Sequence, residues 1–406
     1  MKIGFLFNHD QVHQVAHALP IAFALRRMAP ALELVILTGH PRLTAEVERL
    51  MAVAGVTLPL CELDVRRPFT RFAARCLEAV VPVRKIGVLR DNLDLFRSLD
   101  ALIVAEKTSL LLKSRYGLHD LRLIHTRHGA GDRAIGFDKA SAAFDHVLVS
   151  GEKIRARLAA EAGVPEERMT VVGYPKFDLP PGRPALRFAG NGKPTVLYNP
   201  HLSPHLSSWF KQGRAVLAHF LRDDRYNLIF APHVMLFHRR AVLTIDRLRI
   251  DRPGVIDPAV LRAPNIHVDL GSTASTDMSY TRAADLYLGD VSSQVYEFLI
   301  QPRPCLFLDA HDTDWQGNAS YTHWQAGPVI RDAAELGTAL DRAFAEHDRY
   351  RAVQEELVAR SFDLTDEPSA ERAARAVLGA LGRPAASVAP LRPASARPLR
   401  PSRVAA

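Results

Sequence analysis

The stretch Ala283 to Asp309, AADLYLGDVSSQVYEFLIQPRPCLFLD, constrains the fold more tightly than any other part of the chain. Leu286, Tyr287 and Leu288 are apolar and strand-prone, and Gly289-Asp290-Val291 forms a turn. A helix then opens at Ser292-Ser293, with Val295, Phe298 and Leu299 spaced i, i+3, i+4 so that one face is buried. Pro302 and Pro304 end it, because proline breaks the helical hydrogen-bond ladder. Cys305-Leu306-Phe307-Leu308 reads as the next buried strand. The segment is therefore a βαβ unit with two hydroxyls where its helix begins. Unpaired N–H groups there suit a phosphate, although serine is equally a good helix cap. Glu297, one turn on, is expected to face the same end and accept bonds from ribose hydroxyls.

Alternation of short apolar strands with helix-length segments extends this pattern over the whole chain. Ile3–Phe7, Leu34–Leu37, Val56–Leu60, Ala101–Val104, Leu121–His125, Val147–Val149 and Thr170–Val172 read as strands of a first series. Thr195–Tyr198, Leu228–Ala231, Ile266–Val268, Leu286–Leu288 and Cys305–Leu308 form a second. Such alternation implies parallel sheets wrapped by helices, with ligands bound beyond the carboxyl ends of the strands. The expected organisation is a first Rossmann-like domain over 1–180, a Pro/Gly-rich linker, a second over 193–365, a closing helix over 366–382 and a disordered tail over 384–406. At 406 residues the chain suits two domains.

Charge matters here through its location. The formal net charge is +8, but the tail PAASVAPLRPASARPLRPSRVAA holds four arginines and no acid. Half of the excess is thus in a Pro/Ala/Ser-rich segment, and no nucleic-acid partner is implied. Three dispersed cysteines form neither a disulfide framework nor a metal pattern, which fits a reducing cytoplasm. The N-terminus reads as a first strand and not a signal peptide, and no apolar run approaches the roughly 18 residues that span a bilayer. A soluble or peripheral protein is expected. Residues 66–90 add a peripheral option: Arg67, Arg71 and Arg75 recur every four residues opposite Phe69, Phe72, Cys76 and Val80. A basic amphipathic helix of this kind docks on an anionic membrane, or packs on the core with a solvated basic side.

Several rim positions carry chemistry. His9 and His13 follow the first strand and are candidates to meet a substrate, or solvated loop residues. In Arg127-His128-Gly129-Ala130-Gly131 the glycines permit close backbone approach to a ligand, and His128 is placed to act as a general base. Asn199-Pro200-His201 and Ala231-Pro232-His233 end strands with polar tips on the same rim. Asp312-Thr313-Asp314 has the form of a metal-holding DxD, but a lone DxD is weak and no metal site is expected. Trp315, Tyr321 and Trp324 could stack on a base or simply pack their loop.

Taken in order, these stretches resemble the CDP-glycerol glycerophosphotransferase family, the teichoic-acid primases and polymerases of cell-envelope synthesis. The matching residues are Arg127-His128-Gly129, then Phe144 to Ser150, and Val172-Gly173-Tyr174-Pro175-Lys176-Phe177-Asp178, which is similar to the family's G-x-P-R-x-D. Val196 to Pro200, Ala284 to Phe298 and Gly327-Pro328-Val329-Ile330 follow. Lys176 stands where the family usually has arginine, and Val291 where it usually has an aromatic residue. The resemblance implies an α/β chain of two Rossmann-like domains facing across a cleft, the GT-B type. It implies transfer of a polyol-phosphate group from a CDP-activated donor to a hydroxyl of an envelope or capsule glycan or lipid-linked acceptor, without a metal or other cofactor. His128 would be the base; His233, Ser292, Ser293, Gly129 and Asp290 would serve the phosphates; Glu297, Pro232 and Tyr174 would hold the nucleoside. Alternatives on the same fold are a glycosyltransferase or UDP-sugar 2-epimerase, and a non-catalytic nucleotide-binding protein.

Overall fold

The computed structural model describes residues 1–9, 11–68, 70, 83–127, 129–132, 136–180, 182–238, 241–244 and 249–383. The readings made above for His128, for much of the 66–90 helix and for the tail fall outside these residues.

Strands whose two faces are both apolar need cover on both sides, and the chain supplies it twice. The first sheet contains β1 (Lys2–Phe7), β2 (Glu33–Thr38), β3 (Leu60–Glu62), β4 (Ala101–Val104), β5 (Arg122–Thr126), β6 (His146–Val149) and β7 (Met169–Val171). Its spatial order is β3-β2-β1-β4-β5-β6-β7, with every pairing parallel. Alternate residues feed opposite cores. Ile3, Phe5, Ala101 and Ile103 join one, Leu6, Leu102 and Val104 the other. Helices α1 (Val15–Met28) and α2 (Pro41–Ala54) cover the first of these faces and α3 (Val83–Asp91) the second.

The second series begins with β8 (Thr195–Asn199) and β9 (Asn227–Phe230), followed by a short antiparallel pair, β10 (Val242–Thr244) and β11 (Arg249–Asp251). It continues through β12 (Ile266–Val268), β13 (Leu286–Gly289), helix α4 (Gln294–Leu299), β14 (Cys305–Leu308) and β15 (Val329–Ile330). The sheet order is β12-β9-β8-β13-β14-β15, again parallel throughout. Val196, Tyr198, Leu286 and Leu288 point into one core while Leu197 and Tyr287 point into the other. Each such Leu or Ile contributes roughly 1.5–3 kcal/mol by burial.

One strand lies later than its apolar run predicts. The segment Val56–Leu60 pairs only from Leu60 onward, through Leu60↔Ile36 and Cys61↔Leu37. Pro59 accounts for this, since it accepts from the Ile36 N–H but has no N–H of its own to donate. The β10–β11 pair has no counterpart among the apolar runs that read as strands in the sequence. The closing helix α5 (Ser369–Ala380) does not stay with the second sheet. It returns to the first, burying Ala370, Ala373, Ala374, Val377 and Leu378 in the core that holds α1. Asp178 fixes its start by accepting from the N–H groups of Ser369 and Ala370, at 3.3 and 2.6 Å. Among the described residues no helix is long and apolar enough to cross a membrane.

Candidate active site

The two sheets turn their carboxyl ends toward one another, and the loops after those ends enclose a cavity of about 530 Å³. From the first sheet come His9 after β1, Glu106 after β4, and Arg127, Gly129 and Gly131 after β5. From the second come His201 after β8, His233 after β9, and Val291, Ser292 and Ser293 after β13. The halves touch closely here. A Cβ on Gly131 would lie 2.9 Å from Ser293 Cβ, so only glycine fits without a shift. Gly129, at φ +79°, needs the left-handed conformation as well. A second cavity of about 700 Å³ adjoins the first and shares His9, Gln11 and Lys85 with it. It runs along α2 and α3 on one side and residues 271–276 on the other, and His13 and His40 line it.

Backbone geometry fixes the tautomer of three rim histidines. The Ser203 N–H donates to His201 Nδ1 at 3.0 Å, and the Met235 N–H donates to His233 Nδ1 at 3.3 Å. His40 repeats the turn, accepting from the Arg42 N–H at 3.1 Å. An N–H can only donate, so each Nδ1 holds a lone pair and each neutral ring carries its hydrogen on Nε2. These rings are therefore built as donors, the role that an oxyanion requires. His233 sits with its ring centroid 5.9 Å from His201 and 6.4 Å from His13, which gathers imidazoles from both halves. Arg127 adds a fixed cation. Burial, then the nearby Arg157, lowers its pKa to about 10, so it stays charged at neutral pH.

Three residues assigned to the ligand have other duties. Asp290 is 1% exposed, and its carboxylate accepts from the N–H groups of His201, Ser208 and Val291 and from the Ser208 hydroxyl. It ties the 200–208 loop to the Ser292 turn and so positions His201. Glu297 turns away from the cavity. Its Oε1 lies 2.6 Å from Lys176 Nζ and accepts from the Tyr174 hydroxyl at 3.1 Å, with Glu297 and Lys176 both buried. That oxygen is engaged within the protein, and Tyr174 is equally buried. Pro232 precedes His233 but is absent from the cavity wall. The stretch Gly173 to Asp178 is thus a junction: Tyr174 and Lys176 grip Glu297, and Asp178 caps α5.

A second buried junction lies behind Ser293. Asp132 Oδ1 pairs with Lys153 Nζ at 2.8 Å, while its Oδ2 accepts from the Tyr296 hydroxyl at 2.6 Å and meets His323 Nδ1 at 3.0 Å. The Asp290 carbonyl then accepts from Trp324 Nε1 at 2.7 Å, which places Trp324 in the loop's packing and not on a nucleotide base. Asp312, in the DxD stretch, is exposed and 3.8 Å from Arg331. Among the described residues no cluster of three or more His, Cys, Asp or Glu side chains is arranged to hold a metal.

No family model matches the chain, and no curated protein does. Solved structures do, in fold. The UDP-GlcNAc 2-epimerase of Neisseria meningitidis bound to UDP-GlcNAc superposes at a TM-score of 0.58 with 11% identity, over 94% of this chain and 99% of that one. S. aureus MnaA with UDP gives 0.59 and 14%, over 94% and 97%. The wall teichoic acid polymerase TagF, soaked with CDPG as its H444N variant, gives 0.56 and 13%, over 93% of this chain and 86% of that chain. The chain has the two-sheet α/β architecture of these GT-B-type enzymes.

Proposed function

We propose that the protein transfers a polyol-phosphate group from a CDP-activated donor to a hydroxyl of an envelope or capsule glycan or lipid-linked acceptor. The observation that carries this reading is the pair of adjoining cavities between the sheets. A transferase must seat two substrates side by side, whereas a 2-epimerase needs room for one. The resemblance of the Ala284–Phe298 stretch to the glycerophosphotransferase family, together with the polymerase among the similar folds, supports the choice of donor. A UDP-sugar epimerase or glycosyltransferase is the second reading, favoured by the fold it shares with enzymes solved with UDP and UDP-GlcNAc.

In this reading residues 1–180 seat the acceptor and residues 193–365 hold the nucleotide. The diphosphate lies between Ser292, Ser293, Gly129 and Arg127, and the Nε2–H groups of His201 and His233 meet the oxygens that gain charge as the leaving nucleotide departs. Phosphoryl transfer depends mostly on such positioning and charge stabilisation. His9 and His13 stand on the acceptor side.

The double substitution Ser292→Ala, Ser293→Ala tests the phosphate assignment. Calorimetric titration with CDP should show at least tenfold weaker binding, about 1.4 kcal/mol, with the unfolding midpoint little changed. Equal affinity in the variant contradicts the assignment.

A further inference from the structure

We propose that Glu106 is a catalytic residue of the transfer reaction put forward above: the carboxylate that takes the proton from the acceptor hydroxyl. It rests on that reading of the cleft and adds a residue to it.

Glu106 stands two residues beyond β4, at the centre of the first sheet, and lines the cavity opposite His201, His233 and Ser293. Its orientation is set by its own turn. The Thr108 N–H donates to Oε2 at 2.5 Å and the Ser109 N–H to Oε1 at 3.2 Å. The Thr108 hydroxyl bonds the carboxylate as well, so one of its four lone-pair positions remains to accept a proton on a group that does not move.

Four other polar groups of the wall are committed to other tasks or cannot accept a proton. Asp138, the second acid on this cavity, is exposed; it pairs with Lys107 at 2.8 Å and caps the turn at Ala140. His201 and His233 hold their Nδ1 lone pairs against backbone N–H groups and act as donors in the neutral form. Arg127 has no proton-accepting atom. Glu106 therefore supplies a fixed acceptor beside a set of fixed donors, a division of labour that transfer needs.

The surroundings also make this carboxylate more basic than usual. Burial raises its pKa above the ordinary value, opposed by hydrogen bonds within the 106–109 turn and by the charge of Lys85 on α3. The remaining groups facing the cavity beside it are His9 after β1, His125 and Arg127 on and after β5, Lys107 and Asp138. A base works in its ionised form, so the rate should rise with pH through this raised pKa.

The step balances as follows. The acceptor O–H bond breaks and its proton passes to Glu106, while the acceptor oxygen forms a bond to the donor phosphorus. The bond from that phosphorus to the bridging oxygen breaks, and the electron pair leaves with the nucleoside monophosphate. The proton then passes to solvent.

The test uses the full chain and Glu106→Gln, which keeps an acceptor for one of the two turn N–H groups and should lower the unfolding midpoint only slightly. Titration with CDP in buffers of different ionisation heat should show proton uptake by the wild type, as a second negative group enters beside Glu106. The variant should bind CDP with affinity within about threefold and take up no proton. With CDP-glycerol as donor and glycerol as surrogate acceptor, CMP release should fall by about 10²–10⁴-fold. KM for the donor should be nearly unchanged and the acid limb of the pH profile lost. Glu106→Asp, which keeps the charge one methylene further back, should fall between the two. Equal proton uptake in wild type and Glu106→Gln, or a variant that keeps both rate and acid limb, overturns the proposal. Loss of the acid limb in His128→Ala with Glu106→Gln unaffected also overturns it and makes His128 the base. A wild type that binds no nucleotide fails earlier, at the reading of the cleft, before any variant is compared.

Discussion

Replacing Asp132 with alanine is expected to destabilise the folded chain by about 3–5 kcal/mol, the cost of leaving buried charge uncompensated. Asp132 is 3% exposed and is the shared partner of Lys153, Tyr296 and His323. Lys153 has little else: it donates to the Ala130 carbonyl at 3.0 Å and lies 3.8 Å from the centre of the Tyr296 ring. Burial lowers the Lys153 pKa, and Asp132 is what opposes the shift. Burial alone would push the Asp132 carboxyl up, but the His323 and Lys153 partners hold it well below the usual carboxylate range. A depressed carboxylate contributes stability that is present above its unfolded pKa, about 3.9, and lost as pH falls through the folded value. The gap between wild type and Asp132→Ala should therefore be full at pH 7 and narrow below about pH 4. Denaturant midpoints measured from pH 2 to 8 would show this. A gap that is absent at pH 7, or that does not depend on pH, is inconsistent with the network.

Glu297→Ala is expected to have a comparable effect, again about 3–5 kcal/mol, because Lys176 would remain buried without its carboxylate. The pair spans 121 residues and joins the stretch after β7 to the helix after Ser293. Replacing both members with apolar residues of similar volume, Lys176→Met with Glu297→Leu, removes both charges together. Much of the lost stability should return in that double variant. The comparison also separates a junction from a ribose contact. A junction predicts that the double variant keeps CDP affinity near the wild-type value, whereas a ribose-binding Glu297 predicts a loss in every variant. Denaturation and calorimetry on the same three proteins decide between them.

The two junctions explain which parts of the cleft were legible in sequence. Strand positions were readable because a parallel sheet covered on both faces demands apolar runs such as Ala101–Val104 and Cys305–Leu308. Edge strand β3 starts later than the apolar run Val56–Leu60 suggests, because pairing begins only at Leu60, after a proline. Ser292, Ser293 and His233 were readable as rim residues because each lies three or four residues beyond a strand's carboxyl end. Glu106 satisfies the same rule, two residues after β4, and that signal was available in Ala105-Glu106-Lys107. The duties of Asp290 and Glu297 were not readable. Helical position suggested that Glu297 would face the ligand, but its direction is decided by Lys176, a partner brought near only by the fold. Asp132, between the glycines and the second sheet, gave no local pattern at all.

A nucleotide panel tests the central claim most directly. The wild-type chain would be heated or titrated with CDP-glycerol, CDP, UDP-GlcNAc and UDP under one set of conditions. The account predicts stabilisation by the cytidine ligands of about 2.7 kcal/mol at a hundredfold excess over Kd, with CDP-glycerol at least as effective as CDP and the uridine ligands much weaker. Stabilisation by UDP-GlcNAc and UDP alone, or by none of the four, would contradict it.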